Sequence, residues 1–313
     1  MISIVGILVS LLGPAVQMSR EGMRGLSCRT KLRSFALATH QYLDVHSMYP
    51  GFFQLHNFSK GGVPQSDIVY RMHAPSIFAQ VLPFLDQSAL YDAINFGRLG
   101  TPDDAASLPS DVAANKTVRE IRSSLFLCPS DASEGGFSYR AAFGVGPATH
   151  RTFEFPDSAN GFFGPAGIAC VYPVRAADIS DGLSKTAAFS ESDSRSGHTY
   201  AGLRASPADQ LAAVCHAASK KPSEVSSGSE WLYSGINQTL YNHALPPNSA
   251  IKDCFNLGIQ LPYGATAARS NHGATVNVAM GDGSVLAVHD SISISVWRAY
   301  ATRDDGDEVG GSL

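Results

Sequence analysis

MISIVGILVSLLGPAVQMSR, residues 1–20, carries no charged side chain before Arg20, although the rest of the chain has the mixed composition of a water-exposed domain. An α-helix rises about 1.5 Å per residue, so a run of about sixteen apolar residues spans roughly 24 Å of a hydrocarbon core about 30 Å thick. The run is short of a full crossing by roughly four residues. Three readings fit such a segment. A signal-peptide core would explain the small residues of Gly13-Pro14-Ala15, but no Lys or Arg precedes the apolar run. A helix on the surface of a domain needs a polar face, and Ile2, Ile4, Val5, Ile7, Leu8, Val9, Leu11 and Leu12 leave none. The third reading is the lower part of a longer membrane helix, with either a translation start upstream of Met1 or a processing site that this protein has lost.

The residues beyond Pro14 favour the third reading. Cys28, Leu32, Phe35, Ala36, Thr39, Tyr42 and Leu43 recur at intervals of three and four, the period of one helical face. Arg20, Arg24, Arg29, Lys31 and Arg33 occupy the other faces, with Glu21 the one acid among them. The pattern predicts one helix over residues 1–46, apolar all round over 1–17 and amphipathic afterwards. Pro14 is expected to kink it, because proline removes a backbone donor and clashes with the preceding turn. The helix should stop near His46, ahead of Pro50-Gly51. Its shape is that of pilins and pseudopilins, in which one half lies in a membrane or filament core and the other packs on a globular head. The positive-inside rule would put the basic cluster in the cytoplasm, whereas pilins point that end outward; the pilin orientation is the expected one.

Only 16% of the 313 residues are charged, and 29 Gly and 17 Pro punctuate the chain, a composition that predicts a loop-rich domain containing β-structure. The length accommodates one large domain or two modest ones. The net charge of −4 includes no dominant basic stripe, so no nucleic-acid partner is expected. Cys28, Cys128, Cys170, Cys215 and Cys254 show no C-x-x-C spacing. One or two disulfides with a thiol left over, or five buried free thiols, are both consistent with that scatter.

Between residues 47 and 313 the sequence reads as a globular α+β head. SIFAQVLPFL and DQSALYDAIN suggest two short helical pieces divided at Pro83, the second capped by Asp86. Strand-like runs occupy Ser124–Leu127, Phe137–Phe143, Ala187–Ser190 and Thr275–Met280. TVNVAM-GDGS-VLAVHD reads as a hairpin whose Asp282-Gly283 pair suits a type I′ turn. That turn would set Val276, Val278 and Met280 opposite Val285 and Ala287. SISISVWRAY should pack Trp297 as a strand or a helix. Residues 194–229, rich in Ala and Ser, read as a variable insertion outside the core.

Several stretches together resemble a family of pilin-like proteins abundant in planctomycetes and mostly of unknown function. They are ISIVGILVSLLGPAVQ, CRTKLRSFALATHQYLDVHSMYPG, VLPFLDQSALYDAINF, FLCPSD, NGFFGP, VRAADISDGLSKTAAFSES, LPPNSAIKDCFN and ARSNHGATVNVAMGDGSVLAVHDSISISVWRAYATRDDGDEVGG. The last contains the family's signature of a His, nine residues and Asp-Gly, here His272, Asp282 and Gly283. Family members begin with a basic leader, a glycine cleavage point and Phe-Thr-Leu-Val-Glu, none of which this sequence has. The resemblance implies a prepilin-type helix packed on an antiparallel β-sheet head with long loops. It also implies a membrane-anchored cell-envelope protein with an extracytoplasmic head, partnered by the membrane and by other pilin-like subunits or secretion machinery.

Candidate sites are few. His272 could join an acidic group in a ligand or metal site, or it could cap the strand before a turn made by Asp282-Gly283. His272 and Asp282, ten positions apart, would stand at opposite ends of one strand, too far for joint coordination unless the chain folds back. Asp178 and Asp181, with Asp304, Asp305 and Asp307 of the tail, are candidate calcium ligands, although local turns account for them equally. Calcium is the one cofactor considered, and none is required. Phe162, Phe163, Trp231 and Tyr233 sit beside glycines and prolines, either as exposed platforms for sugars or as buried loop anchors. There is no G-x-S-x-G elbow or H-E-x-x-H, and FGVGPATH is a poor phosphate loop. The expectation is therefore a non-enzymatic pilin- or pseudopilin-like structural or assembly subunit. The alternative is a surface-anchored protein that binds polysaccharide or another solute.

Overall fold

The computed structural model describes residues 2–51, 75–99, 109–131, 136–146, 160–164, 173–193, 198–200, 208–218, 224–225, 228, 230–255 and 264–306. Helix α1 (Ile2–His46) is one element of 45 residues that runs through Pro14 without a break. It ends at Ser47, which takes the left-handed conformation at φ 60° while its N–H donates to the Leu43 carbonyl over 2.7 Å. The helix divides into two regimes. Residues 13–20 are exposed, with Met18 at 76%. From Cys28 onward the stripe Cys28, Leu32, Phe35, Ala36 and Thr39 is at most 1% exposed. No helix among the described residues is long and apolar enough to cross a membrane.

The stripe packs on a sheet. Its strands are β1 (Tyr139–Ala142), β2 (Ala187–Glu191), β5 (Leu240–Tyr241), β8 (Thr275–Met280) and β9 (Val285–His289), in the order β5-β1-β2-β8-β9. Neighbours from β1 to β9 run antiparallel, but β5 lies parallel to β1, so the sheet is mixed rather than wholly antiparallel as expected. Residues alternate between faces. Tyr139, Ala141, Phe189 and Ala279 join Phe35 in the largest core cluster, on the α1 side. Ala142, Val276, Val278, Met280 and Val288 join Trp297 of α7 (Ile294–Ala299) on the other. The sheet is thus sandwiched between helices, and SISISVWRAY resolves as the helix option with Trp297 fully buried.

The β8–β9 hairpin forms where expected, in a different register. Gly283 N–H donates to the Met280 carbonyl over 3.0 Å, and Met280 N–H donates to Ser284 O over 2.8 Å. Gly283 is left-handed at φ 84°, whereas Asp282 is not among the positive-φ residues. A type I′ turn needs two positive φ values; this is a three-residue loop closed by a bulge glycine. The extra residue slips the pairing by one, so Val276 faces Val288 and Val278 faces Leu286, while Ala287 and Val285 oppose Asn277 and Ala279. Asp282 Oδ1 holds the loop by accepting from Ser284 N–H (2.8 Å) and Oγ–H (2.6 Å). Gly283→Ala is expected to lower stability by about 1–2 kcal/mol, the cost of a left-handed L-residue, as read by denaturant titration.

Elsewhere the local reading needs amendment. Helix α2 (Ile77–Gln80) is capped by Ser76 Oγ, which accepts from Ala79 N–H over 3.0 Å. A 3₁₀ turn, Leu82–Leu85, follows with Pro83 near its start, and then α3 (Ser88–Asp92). Asp86 does not cap α3; it ends the 3₁₀ turn at φ 56°, and Gln87 precedes the helix. The run Ser124–Leu127 is no strand but a 3₁₀ turn over Ser124–Phe126, because Ser123 Oγ accepts from Leu125 N–H and winds the backbone. Two more helices, α4 (Pro109–Ala114) and α5 (Lys116–Arg119), flank the core.

The segment 194–229 is more than an appendage. Its described parts, β3 (His198–Tyr200), α6 (Ala208–Ala218) and β4 (Glu224–Val225), build on β6 (Cys254–Phe255) and β7 (Gly264–Ala265). The four strands make a second sheet in the order β4-β3-β6-β7. Leu211 and Cys215 of α6 fill a small cluster of their own with Leu245, Cys254 and Ala265, and Cys215 is bonded to Cys254. A second disulfide joins Cys28 to Cys128 across 100 residues of sequence. Two disulfides are therefore present, and Cys170 lies outside the described residues.

Candidate functional site at His272

The signature histidine sits where α1, β2 and the entrance to β8 converge. His272 Nδ1 lies 2.8 Å from Glu21 Oε1, and its Nε2 lies 3.3 Å from Glu191 Oε1 and 3.3 Å from Cys128 Sγ. Each partner is itself held. Ser130 Oγ–H donates to Glu21 Oε1 over 2.6 Å. Asn277 donates to Glu191 twice, from its backbone N–H to Oε2 (2.9 Å) and from its side-chain amide to Oε1 (3.0 Å). His272 N–H donates to Ser270 Oγ over 3.1 Å. Glu191 is 2% exposed, a depth at which a carboxylate requires such partners.

The electrostatics follow from the geometry. The hydrogen bond to Glu191 raises the His272 pKa above the ordinary imidazole value, against the opposing effect of burial, and Glu21 adds to the rise. Glu21 is shifted the other way, first by the Ser130 hydroxyl and then by His272. Bridging two carboxylates, the His272 ring ties the helix to the sheet.

The other end of the signature grips the same helix. His40 Nε2 lies 2.6 Å from the Gly281 carbonyl, and the Leu37 side chain packs over Gly283. Glu21 and His40 stand roughly 28 Å apart along the helix, and β8 lies between the two residues that they hold, His272 and Gly281. The signature is a pair of clamps laying β8 along α1. His272 and Asp282 sit at opposite ends of the strand and share no ligand, as their spacing predicts. Gly281 is required by close approach: a Cβ there would stand 2.5 Å from Phe162 Cε2.

This arrangement spans most of the chain, and so does the family that it points to. A family model described as a protein of unknown function, DUF1559, and labelled SBP_bac_10, matches residues 17–295. The chain belongs to the DUF1559 family. No curated protein and no solved structure gives a significant match. For this DUF1559 chain, the family membership expected from the ordered motifs holds at that level.

The remaining candidates of the DUF1559 protein divide sharply. Phe162, Phe163, Trp231 and Tyr233 are each no more than 4% exposed and belong to the main core, so they are anchors and not a sugar platform. Phe162 packs on Tyr49 at 4.7 Å and Trp231 stacks on Phe126 at 5.0 Å, contacts that explain aromatic residues in loops. A cavity of about 320 Å³ opens beside Trp231, lined also by Arg119, Arg122, Phe126 and Glu230.

The calcium candidates do not form a shared site among the described residues. Asp178 is engaged by the Arg175 guanidinium at 2.9 Å, which lowers its pKa. Asp181 accepts the backbone N–H groups of Asp305 (3.1 Å) and Gly306 (3.0 Å). Asp305 accepts from Asn160 over 2.7 Å, and Asp304 extends from Arg303 at 3.9 Å. Asp307 lies outside the described residues. The Asp181 carboxylate staples the backbone of this tail to its own turn, and the Asp305 carboxylate ties the tail to Asn160.

Sequence reasoning singled out His272 and missed its company. Glu21, Cys28, Cys128 and Glu191 come from parts of the chain far apart in sequence. The available signal was Glu21 itself, the one acid in a basic stretch of helix.

Proposed function

We propose that this DUF1559 protein is a non-enzymatic, pilin- or pseudopilin-like subunit of the cell envelope, with an extracytoplasmic head. The observation that carries the proposal is the division of α1. Its second half forms the interior of the head, and its first part extends as an uninterrupted apolar helix whose residues 13–20 are exposed. Apolar helix surface left in water gains about 25 cal/mol per Å² on burial elsewhere. A membrane, or a bundle of equivalent helices in a filament, provides the burial. Disulfides over long loops suit an oxidising compartment outside the cytoplasm. The alternative of polysaccharide or solute capture loses its aromatic platform and keeps the 194–229 segment, the family label SBP_bac_10 and the cavity beside Trp231 as its support.

The test is fractionation of the full-length protein expressed in its own host. It should enter the membrane or filament fraction and be released by detergent but not by salt. Leu8→Asp puts a charge into the apolar segment at a cost of about 2.5–3.5 kcal/mol and should move most of the protein into the soluble fraction. A wild-type protein that is wholly cytosolic overturns the proposal.

A further inference from the structure

We propose that the Cys28–Cys128 disulfide is the oxidised form of a metal site. Once a dithiol reductant opens it, Cys28, Cys128, His272 and Glu191 bind one zinc-class divalent ion. Sγ of both cysteines, a His272 ring nitrogen and a Glu191 carboxylate oxygen all lie within 4.8 Å of one another. Tetrahedral zinc takes such a set of two sulfurs, one nitrogen and one oxygen, with Zn–S near 2.3 Å and Zn–N and Zn–O near 2.0–2.2 Å. In such a tetrahedron neighbouring ligand atoms stand about 3.3–3.8 Å apart, so the two sulfurs, bonded to each other in the disulfide, separate on reduction while the more distant ligand atoms close in by about 1 Å. Cys28, Cys128 and Glu191 are buried and His272 nearly so, which keeps competing water out.

The surroundings of the four ligands fit a metal more closely than they fit a bare disulfide. Nε2 of His272 is the nitrogen that points at Cys128 Sγ and Glu191, whereas Nδ1 points away to Glu21. A proton on Nδ1, donated to the Glu21 carboxylate, leaves the Nε2 lone pair for the ion; this is the carboxylate–histidine–metal relay by which outer groups orient a ligating imidazole. Asn277 fixes the Glu191 carboxylate with two donors. The ligands arrive from α1, from the loop after the Ser124–Phe126 turn, from β2 and from the approach to β8. An ion there would hold the helix to the sheet as the disulfide does.

The chemistry balances in two steps. The dithiol transfers two electrons and two protons to the Cys28–Cys128 bond, giving two thiols, and is itself oxidised to a cyclic disulfide. Binding of the ion then releases the two thiol protons, and one more from His272 where the ring is an imidazolium. A small-molecule disulfide reverses both steps: it takes two electrons from the thiolates and two protons from water to become a pair of thiols, while the Cys28–Cys128 bond re-forms and the ion is released.

The experiment titrates the full chain, anaerobically and after dithiol reduction and desalting, with cobalt(II) as the probe and zinc(II) as the competitor. One equivalent of cobalt should bind, with thiolate-to-cobalt charge transfer and the intense d–d bands of a tetrahedral ion; zinc should displace it. The oxidised chain should give neither signal. His272→Ala and the double variant Cys28→Ser/Cys128→Ser should abolish the tetrahedral spectrum, whereas Cys215→Ser/Cys254→Ser should retain it. Glu21→Gln should keep the stoichiometry and weaken affinity by about 10–100-fold. If reduction unfolds the chain, stoichiometric zinc should restore its circular dichroism. A reduced chain that binds no tetrahedral cobalt, or binds it undiminished in His272→Ala, or stays unfolded with zinc present, overturns the proposal.

Discussion

Phe35→Ala is expected to lower the stability of the protein by about 3–5 kcal/mol, the range for deleting a buried aromatic side chain, and to loosen α1 from the head. The ring is fully buried and touches four others, with centroids at 5.0 Å to Phe78, 5.3 Å to Tyr139, 6.0 Å to Phe189 and 6.4 Å to Phe126. Those partners come from α2, β1, β2 and the Ser124–Phe126 turn, so the cavity would lie where five segments meet. Loss of aromatic contacts adds to the loss of transfer free energy. Leu37, on a neighbouring face of the helix at 47% exposure, provides the contrast: Leu37→Ala should cost much less. Denaturant titration of both variants decides the matter. A loss below about 1 kcal/mol for Phe35→Ala would mean that the second half of α1 is not part of the interior.

Acid is expected to destabilise the fold well before its carboxylates titrate. His243 is fully buried, stacked on Trp297 at 3.7 Å, with Nδ1 at 2.6 Å from the Trp297 carbonyl and Nε2 at 3.2 Å from the Tyr241 hydroxyl. Nδ1–H donates to the carbonyl, so Nε2 accepts from the tyrosine and the ring is neutral. Burial pushes its pKa down to about 3, the Trp297 carbonyl opposing only in part. The unfolded chain therefore binds a proton near pH 6.5 that the folded chain refuses until about pH 3. Stability falls as pH drops through that window, by about 1.4 kcal/mol per pH unit. Between pH 6.5 and 4.5 the loss should reach about 2.5 kcal/mol. The raised pKa of His272 has the opposite sign, but its contribution is complete below the unfolded value and does not offset the slope. His243→Gln keeps a donor for the Trp297 carbonyl and removes the titration. Its stability should be flatter over the same interval, and parallel pH profiles for the two proteins would refute the assignment.

The parts of the architecture legible in the primary structure were those with local causes. The 3–4 spacing from Cys28 to Leu43 carries the helix, and Pro50-Gly51 marks the region just beyond its end at His46. Alternation in TVNVAM carries β8, whose bounds agree with the expected ones. The failures were local in a different way. Asp282-Gly283 suits a type I′ turn, but Gly281 N–H donates to the Thr186 carbonyl and Asp282 N–H to the Leu183 carbonyl, and these tertiary bonds hold a longer loop. The aromatics of the loops looked equally apt for ligand or core, and only burial separates the two.

Some properties of this protein follow from residue order alone: an apolar rod that becomes amphipathic, a hairpin near the C-terminus, and a ten-residue spacing that keeps His272 and Asp282 apart. Periodicity and turn chemistry act over a few residues, so they are written in consecutive letters. The meeting of Glu21, Cys28, Cys128, Glu191 and His272 was decided by tertiary structure alone. It depends on strand order, which sets β2 beside β8, and on which face of the sheet α1 covers. Those are outcomes of packing the whole chain, because each contact joins segments that have no local reason to meet.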